Sequence, residues 1–307
     1  MKKIAIARFL LIFVLFSGCV KTTDQNAQIE SITFGAEHIV AVFNTGKILA
    51  WGYNTKGQCD IPDEVNNTID VASCLYHTLA LQSNGTVIAW GDNSKGQCDV
   101  PSDLNNVSAV AVGYEHSVAL KNDGTIVAWG NNENGQCTIP ENLPYAVAIT
   151  AGGYHTSVIT KSGDIISWGY ELDDWLQPPE DIKMLKQITS FNYHIVALQA
   201  DNTVVAWGRP EFSENIINEE LADIVSIATG QGLSIALKSD GTVSVLGGNH
   251  FKLAEYARQL ENITSVAAGF FVGGAVKKDG TLIIWGSDVD RFSNPDIEKL
   301  ILYEGSE

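Results

Sequence analysis

Five of the six histidines stand at one spacing: His38, His77, His116, His155 and His194, each 39 residues from the next. Imidazole is the commonest metal ligand, so a ring of five invites a metal site. Against it, Leu233 and Val272 occupy the same position further along the chain. Each His also opens a β-type run beside Ser, Thr or Ile, where it can fix a turn by hydrogen bonds to backbone. A structural role is expected. Three cysteines recur at the same interval, Cys59, Cys98 and Cys137, each in Gly-Gln-Cys-x-x-Pro, and Cys74 is a fourth. Equivalent positions of a rotational array lie too far apart for a disulfide, which needs Cα atoms within about 7 Å. No Cys-x-x-Cys zinc pattern is present. The thiols read as small buried residues, with a Cys59–Cys74 bridge left open.

Asp92-Asn-Ser-Lys-Gly96 and Asn131-Asn-Glu-Asn-Gly135 look like calcium loops. An EF-hand needs Gly at position six and a bidentate Glu at twelve. Here Gly is at five, and Asp103 and Asn142 stand at twelve, so these are tight glycine turns. The sequence holds no Gly-x-Ser-x-Gly, no His-Glu-x-x-His and no phosphate-cradling loop. Its carboxylates do not recur as a pair in an apolar setting that would separate two pKa values. No catalytic residue, no cofactor and no metal is expected.

The elements that position these residues follow from the interval itself. Trp-Gly recurs at Trp51, Trp90, Trp129, Trp168, Trp207 and Trp285, with Leu246 in the remaining slot, always 39 residues apart. A period in this range marks a repeat array. In the third unit the chain runs Val107 to Gly113, then His116 to Lys121, then Asp123-Gly124 and Thr125 to Gly130. Asp-Gly between β-type runs is a hairpin turn, because both residues tolerate positive φ. Gly recurs there at 46, 85, 124, 163, 241 and 280, with Asn202 in the fifth unit. The strands alternate large with small residues rather than apolar with polar, so each sheet is expected to be covered on both faces. Helical periodicity is weak. Seven short antiparallel sheets of about three strands, closed about an axis, protect their edges best. The fold class is therefore all-β, a seven-bladed propeller.

The unit Ala-x-Gly-x-x-His-Ser-x-Ala-Leu-x-x-Asp-Gly-Thr-x-x-Ala-Trp-Gly-x-Asn-x-x-Gly-Gln resembles the repeat of the regulator of chromosome condensation superfamily. The short period and three strands look most like its compact bacterial branch, typified by β-lactamase inhibitory protein II. The resemblance covers about residues 29–286 and weakens in units five to seven, where Gly-Gln-Cys-x-x-Pro disappears. It implies a propeller that binds another protein, with serine β-lactamases or penicillin-binding proteins as the candidate partner class. WD and kelch propellers have longer periods, and no Trp-Asp follows the third strand.

Residues 1–18 read as a signal peptide: Lys2, Lys3 and Arg8 precede an apolar stretch too short to span a bilayer. Phe16-Ser17-Gly18-Cys19 resembles a bacterial lipobox, which makes Cys19 the lipidated N-terminus of the mature chain. Residues 19–28 are then a linker, 29–301 the propeller and 302–307 a tail. Ile301-Leu302 fall where an eighth unit would begin, so the tail is expected beside blade one. The full chain carries a formal charge of −17 from 19 basic and 36 acidic residues. Without the leader the balance is 16 against 36, or −20. Such a body repels nucleic acid. The expectation is a monomer in the cell envelope, tethered by lipid alone and facing the extracytoplasmic side.

Topology singles out one end for binding. The loop between first and second strands and the loop after Trp-Gly share an end, opposite the hairpins. The first set supplies Tyr76, Tyr114, Tyr154, Tyr193, Phe270 and Phe271; the second supplies Tyr53, Tyr170, Trp175, Phe212, His250, Phe251 and Phe292. Asp92, Glu115, Asn131, Glu171, Asp173, Asp174, Glu211, Asp288 and Asp290 interleave. Aromatic anchors in a polar rim suit a protein partner. Stacked rings beside carboxylates also suit a glycan, and a glycan- or peptidoglycan-binding protein or hydrolase is the alternative. The hairpin end is expected to offer mostly Lys, Asn, Asp and Gly.

Overall fold

The computed structural model describes residues 27–170, 175–209, 221–246, 253–295, 297 and 299–304. They form seven sheets, each built from consecutive strands of a single repeat. In blade one these are Ile29–Phe34, His38–Phe43 and Ile48–Gly52, from inner to outer, and both pairings are antiparallel. The other inner strands are Thr68–Cys74, Val107–Val112, Ala146–Ala151, Leu185–Phe191, Ile224–Gly230 and Ile263–Ala268. Middle strands are buried along nearly their whole length, as the large–small alternation requires of a sheet covered on both faces.

Three kinds of hydrogen bond clip neighbouring blades together, though not all three at every junction. At the hairpin end, the Thr68 amide donates to Gly46 O, Val107 to Gly85 O and Ala146 to Gly124 O, at 2.9–3.1 Å. Toward the loop end, the Trp90, Trp129 and Trp168 indoles donate to Gln58 O, Gln97 O and Gln136 O of the preceding repeat, each at 3.0 Å. Deeper in, His38 Nε2 meets Thr78 Oγ1, His77 meets Ser117 Oγ, His116 meets Thr156 Oγ1 and His194 meets Ser234 Oγ, at 3.1–3.2 Å. The His–hydroxyl pairs lie 40 residues apart, so the histidines join blades as well as shaping their own turns. Where Leu233 and Val272 replace His, the residues 40 positions on around the ring are Gly273 and Ile39, and the clip is lost from both sides at once. The corresponding position for His155 is Ile195.

Blades one and seven pack directly to close the ring. Ile29, Ile32, Phe34 and Trp51 share one core with Val272, Leu282, Ile284 and Phe292. Trp51 Nε1 donates to Phe292 O at 2.9 Å. Phe292 is the seventh-unit counterpart of Gln58 and closes the ring through the same carbonyl. Among the described residues no strand crosses the seam. The tail, Leu300–Glu304, pairs in parallel with the outer strand of blade seven, Leu282–Gly286. Leu300 and Leu302 also pack against the core that blades one and seven share. Tyr303 stacks on Tyr256 at 4.0 Å, which holds the strand on that outer edge. A short helix, Leu253–Ala257, and a 3₁₀ turn, Val289–Phe292, replace the glycine turn after the sixth and seventh Trp-Gly positions, where the repeat loses its Gly-Gln.

Candidate functional site

The two loop sets do share one end. The residue after each Trp-Gly bonds to its own blade's first loop: Tyr53 N to Glu37 O, Asp92 N to Tyr76 O, Asn131 N to Glu115 O and Tyr170 N to Tyr154 O, at 2.8–2.9 Å. The approach explains the glycine. Gly91 has φ +104°, and a Cβ there would lie 2.2 Å from Tyr76 O.

At the centre of this end the aromatics form a connected cluster. Tyr114 meets Tyr154 at 5.3 Å and Phe270 at 6.3 Å between ring centroids. Tyr154, Tyr170 and Tyr193 make a triangle with sides of 5.8–6.2 Å. Phe191 joins Phe270 edge-on at 5.0 Å, linking blade five to blade seven across the axis. Sequence reasoning missed Phe191. Its signal was a broken repeat, because Gly35, Gly113, Gly152, Gly230 and Gly269 hold the equivalent position. Below the cluster lies an axial cavity of about 330 Å³, lined by all seven inner strands.

The remaining predicted residues divide. Tyr53 is 50% exposed, and Tyr76, Trp175 and Phe271 are partly exposed. The Arg209 guanidinium lies 4.9 Å from the Trp175 ring centroid. Phe271, at φ +54°, reaches over Gly232 of blade six. Phe292 is fully buried, with its ring edge-on to Phe34 at 5.8 Å. It belongs to the seam and does not face a partner, which corrects its assignment to the binding face. Phe212, Phe251, His250, Glu171, Asp173, Asp174 and Glu211 lie outside the described residues.

Part of the acidic rim is already paired. Lys56 approaches Asp92 at 3.4 Å and Lys95 approaches Glu133 at 2.8 Å, each joining neighbouring blades. Partial burial pushes the Asp92 carboxyl up, but hydrogen bonds from Ser94, Lys56 and Gln97 outweigh it and hold the group below its usual value. Glu115 accepts from Asn131 Nδ2 at 2.7 Å, and Asn131 is buried. Asp288 and Asp290 are exposed.

Among the described residues no group of three His, Cys, Asp or Glu is placed to hold a metal. Burial lowers His38, His77 and His155 to about 4 and His116 to about 3, so all are neutral at pH 7. The four described cysteines are free. Burial raises Cys59 and Cys98 to about 12 and Cys137 to about 11, and their Sγ atoms point at the carbonyls of Tyr53, Asp92 and Asn131. Such thiols are poor nucleophiles.

The family model described as "Regulator of chromosome condensation (RCC1) repeat" matches residues 29–58, 69–97 and 107–136, the first three blades. A comparison with curated protein sequences gives no match. Among solved structures, the ectodomain of the Physcomitrella patens receptor kinase CR4 is similar at TM-score 0.68 and 14% identity, over 85% of this chain and 74% of that one. Human WBSCR16 is similar at TM-score 0.64 and 17% identity, over 80% and 85%. Prp20p from Saccharomyces cerevisiae, whose structure was described with its binding to Gsp1p and histones, is similar at 0.63 and 18%, over 85% and 83%. Identities this low speak to the fold: with the sheets described above, the chain is an all-β, seven-bladed propeller whose first three blades match the RCC1 repeat model.

Proposed function

We propose that this propeller is a non-catalytic binding protein of the cell envelope, tethered through a lipidated Cys19, that captures a protein partner on its aromatic end. The observation that carries this reading is the connected cluster of Tyr114, Tyr154, Tyr170, Tyr193 and Phe270, partly buried and gathered from blades three, four, five and seven. Rigid rings at the centre of a face, inside a polar rim, are the composition of an interaction hot spot. RCC1-like propellers bind protein partners, as Prp20 does with Kap60 and with Gsp1p and histones.

The resemblance to the compact bacterial branch supports serine β-lactamases or penicillin-binding proteins as the partner class. Immobilised protein should retain one of these from an envelope extract. Tyr170→Ala with Tyr193→Ala should lower capture by at least tenfold, the scale of a hot-spot loss above about 1.4 kcal/mol. Three ring pairs are lost, at roughly 0.5–1.5 kcal/mol each beyond the area they bury, and the variant should still unfold cooperatively. Undiminished capture by the double variant would remove the cluster from the interface. Retention of peptidoglycan fragments instead would favour the glycan reading.

A further inference from the structure

The hairpin end is not the uniformly polar surface its turn residues suggest. Among the described residues eight large apolar side chains are exposed, and five of them lie here: Ile69, Tyr145, Val147, Met184 and Val225. Their backbones adjoin the hairpins. Thr68 N bonds Gly46 O, the Tyr145 hydroxyl donates to Asn122 O, Ala200 N bonds Met184 O and Ile224 N bonds Asn202 O. Met184 is 72% exposed and Ile69 61%.

The placement has a local cause. The pairing of inner to middle strand slips by one residue at Thr68/Asp70, Ala146/Ala148 and Ile224/Ser226, so Ile69, Val147 and Val225 are bulged out of register. In blades three and seven the same bulge carries Ser108 and Thr264, whose hydroxyls donate back to Leu120 O and Val276 O at 3.1 Å. Polar residues therefore suit the position, and branched apolar ones leave unpartnered surface. Lysines accompany it: Lys161 stands 5.6 Å over the Tyr145 ring, and Lys186 and Lys183, the latter paired with Asp201, flank Met184. Apolar tips with tyrosine and lysine at their margin are the composition of a surface resting in a lipid interface.

Where the chain enters selects the occupant. Gln28 O accepts from the Asn44 amide, and the Gln28 side chain lies 3.5 Å from where a Cβ on Gly280 would be. The first described residues thus meet the body among the hairpins of blades one and seven. Eight peptide steps separate Cys19 from Ala27. At about 3.3–3.6 Å each they reach under 30 Å fully extended. That spans the gap beneath the hairpin end readily, and it is nearly used up in climbing the side of the blades to the other end.

We infer that the hairpin end is a bilayer-facing surface, seated on the lipid headgroups by Ile69, Tyr145, Val147, Met184 and Val225, so that the aromatic end points away from the membrane. This rests on lipidation of Cys19. The full chain, exported and reconstituted in phosphatidylethanolamine–phosphatidylglycerol vesicles, should be acetylated with a water-soluble amine reagent and its peptides quantified. Labelling of Lys161 and Lys186 should fall several-fold relative to non-lipidated Cys19→Ser protein, while Lys56 and Lys95 at the aromatic end should not change. Met184→Asp with Val225→Asp should restore labelling at the hairpin end without releasing the protein from the vesicles.

Protection of Lys56 and Lys95, or equal labelling at both ends, would overturn the orientation. Protection that persists without vesicles would show a second protein copy on this face instead of lipid. An N-terminal peptide lacking the diacylglycerol mass would remove the anchor itself and would be told apart from a wrong orientation by that mass alone.

Discussion

Acid should loosen this ring through its buried histidines. Burial holds His38, His77 and His155 near 4 and His116 near 3, whereas the unfolded chain titrates at 6.5. The folded values are depressed, so below pH 6.5 the unfolded state takes up protons that the native state refuses. Stability is then fully present above pH 6.5 and is lost as pH falls toward 4. At about pH 5, a group shifted from 6.5 to 4 costs about 2 kcal/mol, and the four together on the order of 8 kcal/mol. That rivals the roughly 5–15 kcal/mol that holds a typical domain folded. Urea unfolding of the mature domain followed by tryptophan fluorescence at about pH 7.5 and about pH 5 reads the difference directly. His155→Leu isolates one share. It copies Leu233 in blade six: Ile195 offers no hydroxyl to His155, and the ring's one bond to the next blade is to the Asn192 backbone, whose carbonyl also accepts from Gly153 N. The variant should stay within about 1.5 kcal/mol of the parent at neutral pH. It should lose about 2 kcal/mol less than the parent on acidification. Equal unfolding midpoints at both pH values, or a variant as acid-sensitive as the parent, would refute burial of neutral imidazoles as the cause.

Three further outcomes follow from the blade contacts. Phe292→Ala should cost about 3–5 kcal/mol, because the ring is fully buried in the blade one–blade seven core; a loss below about 1 kcal/mol in thermal unfolding would return Phe292 to the surface. Gly91→Ala should prevent folding or lower the melting temperature severely, since the new Cβ would overlap Tyr76 O at 2.2 Å; a near-normal melting curve would contradict that approach. Trp90→Phe keeps most of the packing but removes the donor on the Gln58 carbonyl, and should cost about 1–3 kcal/mol by denaturant titration. An unchanged midpoint would show that another donor reaches that carbonyl.

The period of 39 residues, the Asp-Gly turns and the large–small alternation were enough to read seven three-stranded sheets and to place both loop sets at one end. They report backbone that every unit must share, and a shared backbone leaves its mark seven times. What escaped reading is written once. Phe292 counts as an aromatic of a variable loop until its register is set against Gln58, Gln97 and Gln136; then it occupies the slot whose carbonyl caps a tryptophan in the next blade. Phe191 is visible only as a glycine that is missing. The His–hydroxyl clips needed the offset of 40 rather than 39, because the partner lies on the neighbouring blade and one residue further on. The apolar bulges at Ile69, Val147 and Val225 read as ordinary strand residues, since a bulge changes which way a side chain points without changing its type.

The self-contained blade has a genealogical consequence. In rings latched by a strand borrowed from the opposite terminus, the first and last units are committed to each other, and gain or loss of a member must preserve that exchange. Here the seam is made by packed rings, one indole and one carbonyl. Unequal duplication could therefore insert or excise a 39-residue module and leave the hydrogen-bond ladders of the remaining sheets intact.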